Sequence, residues 1–162
     1  MPLNKNDIVQ ILKDKNIEFE IVEHNAVFTV DEMMDCELPH PDALAKNLFI
    51  RDDKKRQYYL ITCPEDKKIN LKDFRNKYNT RPLSFASPDD LMAKLGLTPG
   101  SVCPFGVLNN DEKDVIVFLD KDFENTLMGI HPCDNTATVF IKSSDVVSLI
   151  QEHGNQVQFV EI

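Results

Sequence analysis

Three short segments carry residue types that could act on an acyl group. The first is Gly100-Ser101-Val102-Cys103-Pro104-Phe105-Gly106, preceded by Leu97-Thr98-Pro99. Prolines and glycines packed this closely fix a backbone tightly. A rigid loop between helix and strand can hold its N–H groups convergent on the oxyanion that forms when an ester is attacked. The second is His131-Pro132-Cys133-Asp134-Asn135-Thr136. A histidine at a strand end, followed by proline and a polar turn, can reach into a cleft. Its neutral imidazole can serve as base, acid or hydrogen-bond partner near pH 7. The third is Lys46-Asn47, which opens an otherwise apolar strand. A lysine there either snorkels to solvent or presents a fixed positive charge to a phosphate or a polarised carbonyl. Taken singly, each segment also has a plain structural reading: a connector, a core histidine, a solvated lysine.

Two sharper chemistries compete with these. Cys36, His40, His131 and Cys133 have metal-capable side chains, but their C-x3-H and H-x-C spacings are not those of a zinc finger or ribbon, so no metal is expected. Cys103 and His131 could form a nucleophile and base, although sequence does not show that they meet. An activated ester needs no covalent intermediate. The cysteines at 36, 63, 103 and 133 form no C-x-x-C pair and are read as free thiols in a reducing compartment.

Periodicity and turn chemistry supply the elements that must position these groups. Asn4 and Asp7 form a capping box ahead of a first helix reaching about Lys15. Phe19 to Val22 reads as a strand. Leu48 to Ile50 and Tyr58 to Ile61 flank the polar turn Arg51 to Arg56 as a hairpin. Asn70 caps a helix over Leu71 to Tyr78, and Leu83 to Phe85 is a brief strand. Ser87-Pro88-Asp89-Asp90 opens a helix that Gly96 closes. A second hairpin is expected between Phe105–Leu108 and Val115–Leu119, and a strand pair at Thr126–Ile130 and Thr138–Ile141. Ser143 or Ser144 should cap a last helix ending at Gly154, before a strand over Val157 to Val160. Hairpins with interspersed helices and no βαβ alternation argue for an α+β fold with a central, mostly antiparallel mixed sheet flanked by helices.

A chain of 162 residues fits one domain, taken as 1–162. No apolar run is long enough to span a bilayer, and the N-terminus lacks the pattern of a signal peptide, so a cytoplasmic address and no membrane partner are expected. The net charge of −9 argues against bulk nucleic-acid binding. Its distribution is uneven: Lys46 to Arg81 holds eleven basic and five acidic residues, a local +6, leaving −15 for the remainder. Such a segment can engage a few phosphates, or it can be a solvated hairpin and helix.

Four blocks in order resemble the YbaK/ProX family of trans-acting prolyl-tRNA editing proteins, which is related to the editing domain inserted in bacterial prolyl-tRNA synthetases. They are Val27-Phe28-Thr29-Val30-Asp31-Glu32, Lys46-Asn47-Leu48-Phe49-Ile50-Arg51-Asp52, Gly100 to Gly106, and His131-Pro132-Cys133-Asp134-Asn135-Thr136-Ala137-Thr138. The approach to the lysine, Pro39 to Ala45, departs from the Gly-rich one common in the family. The resemblance implies an aminoacyl-tRNA deacylase, closest to the branch that removes alanine from tRNA(Pro). It carries the family's essential lysine onto Lys46 and its pocket histidine onto His131. Substrate contacts fall to Val27, Phe28, Thr29, Asn47 and the loop Gly100, Ser101, Val102, Cys103, Pro104. Phe28, Phe49 and Phe105 are candidates to set the pocket's size. The implied partners are the acceptor end of mischarged tRNA(Pro), held by Lys54, Lys55, Arg56 and Arg81, and prolyl-tRNA synthetase; no cofactor is implied. Cysteinyl-tRNA(Pro) or another small misacylated amino acid is an alternative substrate, and a non-catalytic aminoacyl-tRNA-binding regulatory module is an alternative class.

Overall fold

The computed structural model describes residues 2–26 and 38–162. In chain order the described helices and strands are α1 (Lys5–Asp14), β1 (Phe19–Glu23), β2 (Ala45–Asp52), β3 (Tyr58–Pro64), α2 (Leu71–Tyr78), β4 (Leu83–Phe85), α3 (Pro88–Leu95), β5 (Val115–Asp120), β6 (Leu127–Ile130), β7 (Ala137–Lys142), α4 (Ser143–His153) and β8 (Val157–Val160). The caps do what their side chains predict. Asn4 and Asp7 exchange two bonds of 2.9 Å, and the Ser87 hydroxyl accepts the Asp90 N–H at 3.1 Å. Asn70 accepts from Lys72 and Asp73, and Gly96 closes α3 in the left-handed conformation.

The strands form two sheets rather than the one expected. The smaller has the order β1-β7-β6 and is wholly antiparallel. The larger runs β4-β2-β3-β5-β8. Its β2–β3 hairpin and β2–β4 pair are antiparallel, whereas β3–β5 and β5–β8 are parallel. Each parallel pair is joined by a long crossover: α2, β4 and α3 in the first, β6, β7 and α4 in the second. The absence of strict βαβ alternation thus did not exclude parallel pairing, because short strands lie inside the crossovers.

Strand alternation divides the core. Phe49, Tyr58, Leu60, Val115, Val117 and Leu119 face the main core, which also takes Ile8 and Leu12 of α1 and Ile130, Val139 and Ile141 of the smaller sheet. Ile50, Ile61, Phe118 and Val160 face a second cluster under Phe74 of α2. The period of two along β2 and β3 is what a sheet buried on both faces requires.

Two further expectations are corrected. Residues Pro104–Asn109 form a 3-10 helix, so the second hairpin does not exist. Pro104 at the first helical position has its φ preset for the turn, and the Gly106 N–H closes it onto the Cys103 carbonyl at 3.1 Å. The apolar residues there are buried by helical turns, which a short run cannot distinguish from a strand. The last helix is preceded by Lys142 with no side-chain cap, and Ser143 is already helical. β7 runs directly into α4, and the Ser143 N–H is satisfied by the Thr126 carbonyl at 2.9 Å instead.

Candidate active site

Lys46 and Asn47 lie at the start of β2, where cross-strand neighbours are Cys63 and Thr62. Alternation puts Asn47 on the face of Phe49 and Thr62, and Lys46 on the opposite face with Leu48 and Ile50. The Thr62 hydroxyl, fully buried, donates to Asn47 Oδ1 at 2.5 Å. That bond fixes the amide with its NH₂ turned away from Thr62. β4 pairs only with Ile50 to Asp52, so the same edge of β2 is left to other partners near Lys46. There Leu44 forms a parallel bridge to Gly129 of β6. Lys46 and His131 each follow two residues beyond this bridge, on chains running in the same direction. The seam between the two sheets therefore brings the lysine end of β2 to the histidine end of β6.

The seam depends on Gly129. A Cβ at that position would lie 2.8 Å from Phe140 Cε1 and 3.0 Å from Leu44 Cδ2.

His131 Nδ1 donates to the Ala137 carbonyl at 2.9 Å, which leaves the lone pair of the neutral ring on Nε2. Burial holds the His131 pKa below the ordinary value; the Ala137 carbonyl opposes this, and the neighbouring His24 adds to it. His24 was not singled out by sequence. Its ring lies 6.2 Å from that of His131, its Nδ1–H reaches the Asn25 carbonyl at 2.8 Å, and Nε2 meets the Thr138 hydroxyl at 2.9 Å. The β1–β7 pairing brings it there, and no local pattern announces a pairing between residues so far apart. The turn after His131 is held by Asp134, which accepts the Thr136 N–H at 2.8 Å and hydroxyl at 2.5 Å.

The Gly100–Pro104 loop joins this turn through a sulfur contact, Cys103 Sγ to Cys133 Sγ at 3.8 Å. Pro99 and Gly100 occupy the two central positions of a turn closed by Ser101 N–H to Thr98 O at 3.1 Å, and Gly100 has φ +94°. Proline then glycine is what a type II turn requires. Ser101 N–H is committed to this bond, and Pro104 has none to give. The N–H groups of Gly100, Val102 and Cys103 are the loop's remaining candidates to face an oxyanion. Cys103 and Ser101 are buried.

Other expected site residues fall elsewhere. Val27, Phe28 and Thr29 lie outside the described residues. Phe49 and Phe105 are 5% and 2% exposed in the main core, so any effect on a pocket comes from behind its wall. Lys54, Lys55 and Arg56 form the exposed turn of the β2–β3 hairpin, organised by buried Asp52, whose Oδ1 accepts N–H bonds from Lys54 and Arg56 at 3.1 and 2.9 Å. At about 3.3 Å per residue, this turn is some 20 Å along β2 from Lys46. Arg81 makes two bonds to the Asp53 carboxylate, 2.7 and 3.1 Å, and that pairing lowers the Asp53 pKa. Among the described residues no group of three or more His, Cys, Asp or Glu is placed to hold a metal ion.

The model of the aminoacyl-tRNA editing domain matches residues 24–149, a span that contains the lysine strand, the glycine–proline loop and the histidine turn. The chain belongs to the aminoacyl-tRNA editing domain family. It is 38% identical over 159 residues to the prolyl-tRNA editing protein ProX of Acetoanaerobium sticklandii, covering 98% of this chain and 97% of that protein. It is 34% identical over 148 residues to the prolyl-tRNA synthetase associated domain-containing protein 1 of Bos taurus, covering 86% and 84%. A solved structure of a protein proposed to be a trans-editing enzyme for prolyl tRNA synthetase shares the fold, with a TM-score of 0.72 at 19% identity over 100% of this chain and 99% of that one. The mixed α+β architecture is thus that of the editing fold.

Proposed function

We propose that this editing-family protein is an aminoacyl-tRNA deacylase that acts in trans, with 1–162 as one editing domain and alanyl-tRNA(Pro) as its substrate. The observation that supports the reading is the seam that joins the start of β2, which carries Lys46, to the end of β6, which leads to His131, with the Gly100–Pro104 loop tied to the histidine turn by the Cys103–Cys133 contact. The similarity to ProX over nearly the whole of both chains supports the prolyl-tRNA assignment.

The reaction adds water across the ester between the amino acid and the terminal ribose. Water oxygen bonds to the carbonyl carbon, the ribose oxygen leaves and takes up a proton, and free amino acid and tRNA remain. Lys46 supplies a positive charge to the terminal phosphate or ester. The N–H groups of Gly100, Val102 and Cys103 are the candidates to stabilise the tetrahedral oxyanion, at about 2.7–4 kcal/mol per well-aimed donor. His131 Nε2, kept neutral by burial, accepts a hydrogen bond from the α-amino group or the 2′-hydroxyl. The 2′-hydroxyl helps to place the water.

Selection is steric. A synthetase pocket shaped for proline discriminates weakly against smaller alanine, because a missing methylene costs only about 1–3 kcal/mol. A second pocket too small for proline completes a double sieve. Rates on alanyl, cysteinyl, seryl and prolyl esters of tRNA(Pro) test this. Alanine should be removed fastest and proline spared; removal of cysteine in preference to alanine would move the assignment to that substrate.

A further inference from the structure

We propose that Cys103 and Cys133 are an oxidant-sensitive dithiol that closes to a reversible disulfide across the candidate site. Their sulfurs are 3.8 Å apart on two segments separated by 30 residues. A disulfide needs about 2.05 Å, so the gap closes with a shift of about 1.8 Å. Cys103 is fully buried, while Cys133 is partly exposed and gives an oxidant its approach. Cys133 also sits at φ +63°, a left-handed conformation that disfavours most side chains and is commonly held where a site needs it.

The surroundings prepare the chemistry. Burial works against a Cys103 thiolate. The Cys133 thiol and the backbone N–H groups of Cys133, Gly106 and Phe105 outweigh it and hold the Cys103 thiol below its usual range. Cys133, hydrogen-bonded to Cys103, keeps its proton and is pushed up. Cys63 provides the contrast: it is buried, and burial pushes its thiol up to about 11.

The oxidant class is a hydroperoxide. One sulfur attacks the O–O bond and becomes a sulfenic acid, releasing one water. The other sulfur displaces the sulfenic oxygen as a second water, so two thiols and one hydrogen peroxide give one disulfide and two waters. The new bond withdraws the Cys103 sulfur from the N–H groups that hold it. It also pulls the Gly100–Pro104 loop against the turn that carries His131. This consequence for activity rests on the deacylase reading, but the disulfide does not.

The test treats the full chain with hydrogen peroxide, blocks remaining thiols, and maps peptides by mass. Alanyl-tRNA(Pro) deacylation is followed in the same samples, each against its own untreated control. A Cys103–Cys133 peptide should appear with the loss of two hydrogens, reversed by dithiothreitol. Activity should fall about tenfold or more, since a displacement near 1 Å at a reacting centre can cost a hundredfold. Cys133→Ser and Cys133→Ala should form no such link and lose no activity on treatment. If both thiols stay free under conditions that oxidise glutathione, or if the link joins Cys36 or Cys63 instead, the proposal is overturned. A verified link with unchanged activity overturns its coupling to the site. Reduced protein inactive on every ester counts against the deacylase reading alone, because peptide mapping still decides the disulfide.

Discussion

The chemistry of single residues turns on protonation and on what fixes each side chain. Burial lowers the folded-state pKa of His131, so unfolding takes up a proton as pH falls through the ordinary histidine range. Its contribution to stability is present above about pH 6.5 and is lost below it. Denaturant unfolding of wild type and His131→Asn between about pH 7 and pH 5 checks this: the wild-type curve should fall more steeply. Hydrolysis that depends on a neutral Nε2 should not show an acid limb of the His131 ring until the pH is below the usual histidine value. At this scale sequence was informative where a residue acts through its type. Lys46, His131 and Gly100 stood out by type, each with a plain structural reading beside it, and the family resemblance is what marked them as site candidates. His24 and Thr62 were not, because each acts through a partner that only tertiary pairing supplies.

At the scale of elements, the site depends on how the two sheets meet. Gly129→Ala places a methyl group against Phe140 and Leu44, a crowding that should cost about 1–3 kcal/mol. If the proposed site is right, its effect on deacylation at a temperature where the variant is still folded should exceed what the stability loss explains, because the Leu44–Gly129 bridge ties the start of β2 to β6 just before Lys46 and His131. Thermal unfolding and single-turnover rates on the same samples separate the two. Elements with strong punctuation were legible: Asn4, Asn70, Ser87 and Gly96 mark ends that the structure reproduces. The 3-10 helix at Pro104–Asn109 was not, because its apolar residues fit a buried strand equally well. The parallel β3–β5 and β5–β8 pairs were not either, since pairing across long crossovers leaves no local pattern.

At the scale of the molecule, the basic turn proposed to hold tRNA lies apart from the candidate site. The chain carries −9 overall, so the exposed Lys54–Arg56 turn is a local exception that lies far along β2 from Lys46. Replacing Lys54, Lys55 and Arg56 with alanine should weaken tRNA binding and flatten its salt dependence by about 0.7–0.9 for each phosphate no longer neutralised. The catalytic rate at saturating tRNA should hold. Arg81→Ala should weaken binding less, because its guanidinium is already engaged by Asp53. Binding titrations across a salt series provide the measurement. No helix among the described residues is long and apolar enough to cross a membrane.

The central claim concerns the ester and the lysine together. The most direct measurement is single-turnover deacylation of alanyl-tRNA(Pro) and prolyl-tRNA(Pro) by wild type and Lys46→Ala at equal concentration, with circular dichroism showing both folded. The account predicts that wild type releases alanine and spares proline, and that Lys46→Ala is slower by at least about a hundredfold. Full activity in Lys46→Ala, or survival of both esters despite demonstrated tRNA binding by wild type, would contradict it.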